Sequence, residues 1–196
     1  SSGQLGAGDN SEFSTPVSVV GLPYPALAVA TGASHTCAVM TNNQARCWGA
    51  NDTGQLGTGD TAPRLSPNTS VLLSYSFTHP AIAAIALGEQ HTCAVTLYGE
   101  LFCWGDNTYG QLGDGTKTQR LYATIASGLT AGVLSVAIGA DFTCARLENG
   151  DVKCFGRRAN GRLGDGTGDL SGVRYEFVSG DWINVPYPDV VRPSAV

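Results

Sequence analysis

Apolar and polar positions alternate along this chain in short runs that return at a nearly constant spacing. The clearest stretch is Cys93–Gly113, where two runs, Cys93–Thr96 and Glu100–Trp104, flank Leu97-Tyr98-Gly99. That pattern predicts a β-hairpin with a three-residue loop, with Gly99 at the place that needs a left-handed backbone. Pairing Thr96 with Glu100 sets Cys93 opposite Cys103, at a non-hydrogen-bonded site where side chains approach most closely. A cross-strand disulfide is geometrically suited to that site. Apolar residues occupy both strand faces, Ala94 and Phe102 on one and Val95 and Leu101 on the other. Sheets covered on both sides read this way.

The same hairpin occurs at Cys37–Cys47, Cys93–Cys103 and Cys144–Cys154, always ten residues from cysteine to cysteine. Its loops are Thr41-Asn42-Asn43, Leu97-Tyr98-Gly99 and Glu148-Asn149-Gly150, each ending on Asn or Gly, the residues that best tolerate positive φ. A GQLG turn begins at Gly3, Gly54 and Gly110 and returns as GRLG at Gly161, at steps of 51, 56 and 51 residues. From Gly32, Gly88 and Gly139 to the next such turn is 22 residues each time, so the five extra residues lie between Gly57 and Gly88. With Pro63, Pro67 and Pro80, the window Thr58–Ile85 is expected to hold the longest and most mobile connector. Trp48, Trp104 and Phe155 close the hairpins and are read as core aromatics between neighbouring sheets, in preference to ligand-stacking rings.

The motif HTCAV…CWG-x-N-x-x-GQLG-x-G resembles the repeat of the regulator of chromosome condensation family, over nearly the whole chain except roughly its last fifteen residues. The resemblance implies a β-propeller of four-stranded blades. The cysteine-bearing form is similar to copies in secreted or surface proteins, not to the nuclear exchange factor.

The expected fold is therefore all-β: three complete blade-like units plus a split, incomplete fourth. The divisions are 1–26 (back half of a preceding repeat), 27–80 (repeat with expanded connector), 81–132, 133–178 and a degenerate 179–196. Fewer than four repeats fit in 196 residues, whereas propellers carry about four to eight blades. The chain begins in mid-repeat without Met, so its natural start is expected to lie elsewhere. Ser1–Gly21 supplies a GQLG turn and an outer strand at Val17–Val20. One further strand is expected near Tyr175–Val178 or Trp182–Val185. Exposed strand edges invite pairing. The expected partner is protein, either other copies in a ring or filament or further repeats of the same propeller, with assembly preferred over a free monomer.

Composition narrows the functions. Charged residues make up 14% of the chain and the net charge is −5 with no basic run, which argues against nucleic acid as a partner. The longest apolar stretch, Ala81–Leu87, is too short to span a bilayer. Cys37, Cys47, Cys93, Cys103, Cys144 and Cys154, all in register, favour disulfides and an extracellular or cell-surface setting over buried free thiols. Zinc fits less well, because no pair has the close C-x₂₋₄-C spacing.

Asn51-Asp52-Thr53 and Asn68-Thr69-Ser70 match the N-glycosylation pattern, so an attached glycan at Asn51 or Asn68 is expected if the sequons are used. Asn51 also lies where its side chain can bond the turn. The acidic turns at Asp9, Asp60, Asp114 and Asp165 each offer one carboxylate, which suits turn chemistry better than calcium. His35 and His91 share a repeat position that Phe142 fills in the third copy, so a structural imidazole is expected; His79 lies in the connector. No catalytic, cofactor or metal signature is present. The leading reading is a non-enzymatic extracellular structural or interaction module. The alternatives are a nucleotide-exchange or chromatin-type propeller and a glycan-active propeller enzyme.

Overall fold

The computed structural model describes residues 2–72, 81–164, 174–178, 181–185 and 189–191. Three antiparallel sheets follow one another. β1 (Ala26–Thr31), β2 (His35–Met40) and β3 (Ala45–Gly49) form the first. β4 (Ile82–Leu87), β5 (His91–Thr96), β6 (Leu101–Gly105) and β7 (Arg120–Ile125) form the second. β8 (Val133–Ile138), β9 (Phe142–Leu147) and β10 (Val152–Gly156) begin the third. A separate hairpin, β11 (Arg174–Val178) with β12 (Asp181–Val185), comes before β13 (Asp189–Val191). A 3-10 turn at Ala159–Gly161 is the only helical element among the described residues.

Each Cys-bearing pair of strands is the expected hairpin. Thr96 N–H donates to Glu100 C=O, and Cys93 stands opposite Cys103. The loop residues Asn43, Gly99 and Gly150 take φ of 60°, 74° and 88°, the left-handed conformation that closes these loops. Cys37–Cys47, Cys93–Cys103 and Cys144–Cys154 are disulfides with Cα separations of 4.1, 4.1 and 4.0 Å, close to the short spacing of a non-hydrogen-bonded pair. A bulge recurs at the same place in β1, β4 and β8, setting Leu27, Ala83 and Leu134 outside the ladder.

The register also locates the five extra residues. Gly49 and Gly105 pair with Arg64 and Arg120, while Val71 and Ala126 donate to the equivalent carbonyls of Ala45 and Leu101. One added residue therefore lies between Arg64 and Val71, where the fourth place of the first sheet is held by two isolated bridges instead of a strand. The other four lie between Leu72 and Ala81, so the part of the expected mobile connector that holds them, 73–80, falls outside the described residues.

Two departures concern the ends. Val17–Val20 is not a strand; Val20 N–H donates to Gly6 C=O and Gly8 N–H to Leu65 C=O, so the N-terminal stretch is laid over the first sheet. The third sheet takes its fourth strand from β13, in the order β13-β10-β9-β8, beyond the expected end of that repeat at 178. Both late strands exist and pair with one another, Phe177 opposite Trp182.

Two apolar cores lie between the sheets. Cys37, Val39, Ala45, Cys47 and Leu56 meet Ile82, Ala94, Phe102 and Trp104. Cys93, Val95, Leu101, Cys103 and Leu112 meet Val133, Ala145 and Phe155. Each sheet thus has a forward face, carrying its disulfide, and a rear face carrying its aromatic. The GQLG turn of one repeat sits against the aromatic of the next sheet: a Cβ on Gly6, Gly57 or Gly113 would come within 2.7, 2.8 or 2.7 Å of Trp48, Trp104 or Phe155.

Candidate functional site

The seams between sheets are built on one backbone carbonyl per repeat. Gln55 C=O accepts the Thr92 hydroxyl at 2.8 Å and the Trp104 indole N–H at 2.9 Å. Gln4 C=O accepts Thr36 and Trp48 in the same way, at 2.9 and 3.0 Å. Gln111 C=O accepts Thr143 at 2.9 Å, and Phe155 in the aromatic position brings no donor.

The histidines extend this arrangement from one sheet to the next. His35 Nε2 lies 2.8 Å from Thr92 Oγ1, and His91 Nε2 3.0 Å from Thr143 Oγ1. Each threonine hydroxyl has already given its proton to a glutamine carbonyl, so the imidazole Nε2–H must donate. Burial lowers both rings from 6.5 to about 4, reinforced at His35 by the neighbouring His91 and opposed at His91 by Asp106 and Asp141. Each Nδ1 is buried without a hydrogen-bond partner and faces a glycine. A Cβ on Gly32 or Gly88 would stand 2.9 or 2.6 Å from it, so the close approach of strand to ring requires glycine. These are bracing rings, as the Phe142 replacement implied.

A second constellation anchors the turns. Asn51 is fully buried; its amide N–H groups donate to the Asp60 and Ala62 carbonyls and to Asp60 Oδ1, and its Oδ1 accepts Leu56 N–H. Asn107 repeats this with Asp114, Thr116, Thr118 and Leu112. Asn51 is therefore not available to a glycan in the folded chain: its nitrogen is enclosed and committed to the turn. Asn68 is exposed, with Thr69 Oγ1 bonded to its Oδ1 at 3.2 Å. Asp60 and Asp114 are paired with Arg64 and Arg120, each at 2.6 Å. Burial pushes the Asp114 carboxyl up, but the Thr116 hydroxyl and N–H and the Arg120 guanidinium outweigh it and hold the group below its ordinary value. Asp165 lies outside the described residues. Among the described residues no group of three or more metal-type side chains converges.

Asn107→Ala is expected to destabilise the fold by roughly 2–4 kcal/mol, because it strips buried Leu112 N–H of its acceptor and two turn carbonyls of their donor. Denaturant midpoints read the loss. A change below about 0.5 kcal/mol would contradict this role.

The connectors before each hairpin and the turns after it share one face of the molecule. There Gly32, Gly88 and Gly139 line a depression where the inner strands converge, and a neighbouring one of about 270 Å³ lies at the second seam. The latter is lined by Glu89, Gln90, Asp106, Tyr109, Asp141 and Arg157. Arg157 bonds Asp141 at 3.1 Å and stacks 4.9 Å over Tyr109; Arg162 lies 3.8 Å from Asp141. The arrangement offers charge, one aromatic and the Thr108 hydroxyl, which donates to Asp106 at 2.7 Å, to a binding partner.

Known proteins place this architecture. The chain is 35% identical over 166 residues to the ultraviolet-B receptor UVR8 of Arabidopsis thaliana, covering 84% of this chain and 37% of that protein. It is 35% identical over 150 residues to the RCC2 homolog of Danio rerio, covering 74% and 29%. The chain thus spans well under half the length of these relatives. Among solved structures, Prp20p of Saccharomyces cerevisiae superimposes with a TM-score of 0.67 at 20% identity, over 86% of this chain and 39% of that one. Human WBSCR16 gives 0.65 at 21%, over 80% and 41%. Two models of the regulator of chromosome condensation (RCC1) repeat match, one at residues 27–55, 82–111 and 133–162, the other at 1–39, 47–95 and 98–146. With repeat, register and sheet order all in agreement, the chain belongs to the RCC1 repeat family and is built as propeller blades.

Proposed function

We propose that this chain is part of an extracellular or cell-surface propeller that binds protein and performs no catalysis of its own. The observation that carries the reading is the cysteine register: six cysteines, all in the same hairpin position, each pair joined across the two strands of one hairpin. Such pairs persist in oxidising compartments and are reduced in the cytosol. One relative is a receptor, the ultraviolet-B receptor UVR8, which supports a binding role.

The rear face of the first sheet supports a partner made of propeller sequence. Val29 there is 66% exposed, whereas Ile85, at the same position in the second sheet, packs into an inter-sheet core. Further repeats, of the kind the longer relatives contain, would cover it. A glycan on exposed Asn68 is compatible with the same setting.

Peptide mapping of the native protein under non-reducing conditions is expected to return the three intra-sheet pairs. Six alkylatable thiols would overturn the extracellular assignment. A second reading, nucleotide exchange or chromatin binding, draws on the fold shared with Prp20p, a protein studied for its binding to Gsp1p and histones. Accelerated nucleotide release from a small GTPase would favour it over the first.

A further inference from the structure

The forward face of the third sheet breaks the pattern of the other two. In the first sheet Ala28 pairs with Val39, and in the second Ala84 pairs with Val95; both valines are buried in the cores between sheets. At the same register the third sheet pairs Ser135 with Arg146. Two apolar positions have become polar together, and Arg146 Nε donates to Ser135 Oγ at 3.4 Å. Arg146 is exposed, and the Cys144–Cys154 bridge below it is less covered than its two counterparts, which are sealed under the next sheet.

We propose that the Ser135–Arg146 pair makes this face a surface for a protein that presents a carboxylate opposite Arg146, and that it bars a second copy of this chain from stacking there head to tail. The inference rests on the protein-binding reading and adds which partner is accepted. The second seam defines what an ordinary neighbour brings: Val133, Val136, Ala145 and Phe155 pack over the Val95 region. A second copy would bring the equivalents of those residues from its own first sheet, namely Ala26, Val29, Ala38 and Trp48. None of them carries a carboxylate, and Arg46, opposite Ala38 on the same face, would bring a second guanidinium. Stacking would enclose a guanidinium against apolar side chains, a desolvation that nothing on that face returns. A carboxylate in register could accept from the guanidinium in bidentate fashion, as only a charge-bearing partner can. Specificity of this kind comes from excluding the wrong partner as much as from fitting the right one.

Sedimentation velocity across a concentration series tests both halves. The double variant Ser135→Ala/Arg146→Val, which restores the apolar pattern, is expected to self-associate at a concentration lower by roughly tenfold or more than the wild-type chain. Adding Val29→Asp to it is expected to abolish that gain. In the wild-type background, Val29→Asp alone supplies a carboxylate on the opposing face and is expected to promote association, which Arg146→Glu then reverses. A double variant that sediments like wild type overturns the barrier, as does a wild-type oligomer that Arg146→Glu dissolves. A Val29→Asp chain that associates no more than wild type overturns the carboxylate preference. Correct disulfide mapping alongside any of these results would leave the extracellular reading standing.

Discussion

Replacing Trp104 by alanine is expected to lower the free energy of unfolding by about 3–5 kcal/mol, the range for removing a buried aromatic. The ring has no exposed surface, fills the core between the first and second sheets, and lies directly under Gly57. Its indole N–H also supplies one of the two hydrogen bonds to Gln55 C=O. The third repeat shows which part matters more. Phe155 sits under Gly113 in the same position and brings no donor, so packing alone suffices there. Trp104→Phe is therefore expected to cost only about 1 kcal/mol, the net value of one hydrogen bond. Denaturant midpoints for the two variants separate the contributions. Equal losses for Phe and Ala would show that the hydrogen bond, not the ring volume, joins the sheets.

Mild acid is expected to have an effect of similar size. His35 and His91 titrate at about 4 in the folded chain against 6.5 when free, because burial disfavours the imidazolium. The unfolded chain then binds more protons than the folded one between those values. Stability is accordingly full above pH 6.5 and is lost as the pH falls towards 4. Each ring contributes on the order of 3 kcal/mol over that window. Asp60 and Asp114, held below the ordinary carboxylate value of 3.8, lose their contribution only at lower pH, so the two effects separate. The double variant His35→Phe/His91→Phe, which copies Phe142 of the third repeat into the other two, is expected to keep nearly the same midpoint from pH 7 to pH 4.5. A variant that loses as much as wild type would assign acid sensitivity to other groups.

Much of this was legible because the hairpin is a local object. Ten residues from Cys37 to Cys47, with Asn43 where positive φ is needed, determine a loop, a register and a cysteine pair without reference to the rest of the chain. Asn51 was ambiguous because Asn-x-Thr describes a glycan acceptor and a bonded turn equally well. Its recurrence as Asn107, each followed at nine and thirteen or seven and thirteen residues by an Asp and an Arg, was the signal for the turn. The bulges in β1, β4 and β8 left no mark, since Leu27 and Leu134 are apolar like their neighbours and alternation does not register an extra residue. The fourth strand of the third sheet was out of reach for another reason. The β11–β12 hairpin intervenes before β13, and a period cannot be followed through an insertion. Nor could spacing alone reveal Arg146 as a departure, because a strand tolerates one arginine; only the placement of Val39 and Val95 in the cores made it one.

The turn that clasps each aromatic is encoded one repeat ahead of it. Gly3–Gly6 holds Trp48, Gly54–Gly57 holds Trp104 and Gly110–Gly113 holds Phe155. A segment copied or excised at the hairpin boundaries would therefore leave one sheet without its clasp and carry off a clasp without its sheet. The heritable module runs from one GQLG turn to the next, and grafts cut at Gly54 and Gly110 should transplant where grafts cut at Ile82 and Val133 do not. Synthesis from the N-terminus also delivers every clasp before the sheet it grips, so each new blade leaves the ribosome with its dock already waiting.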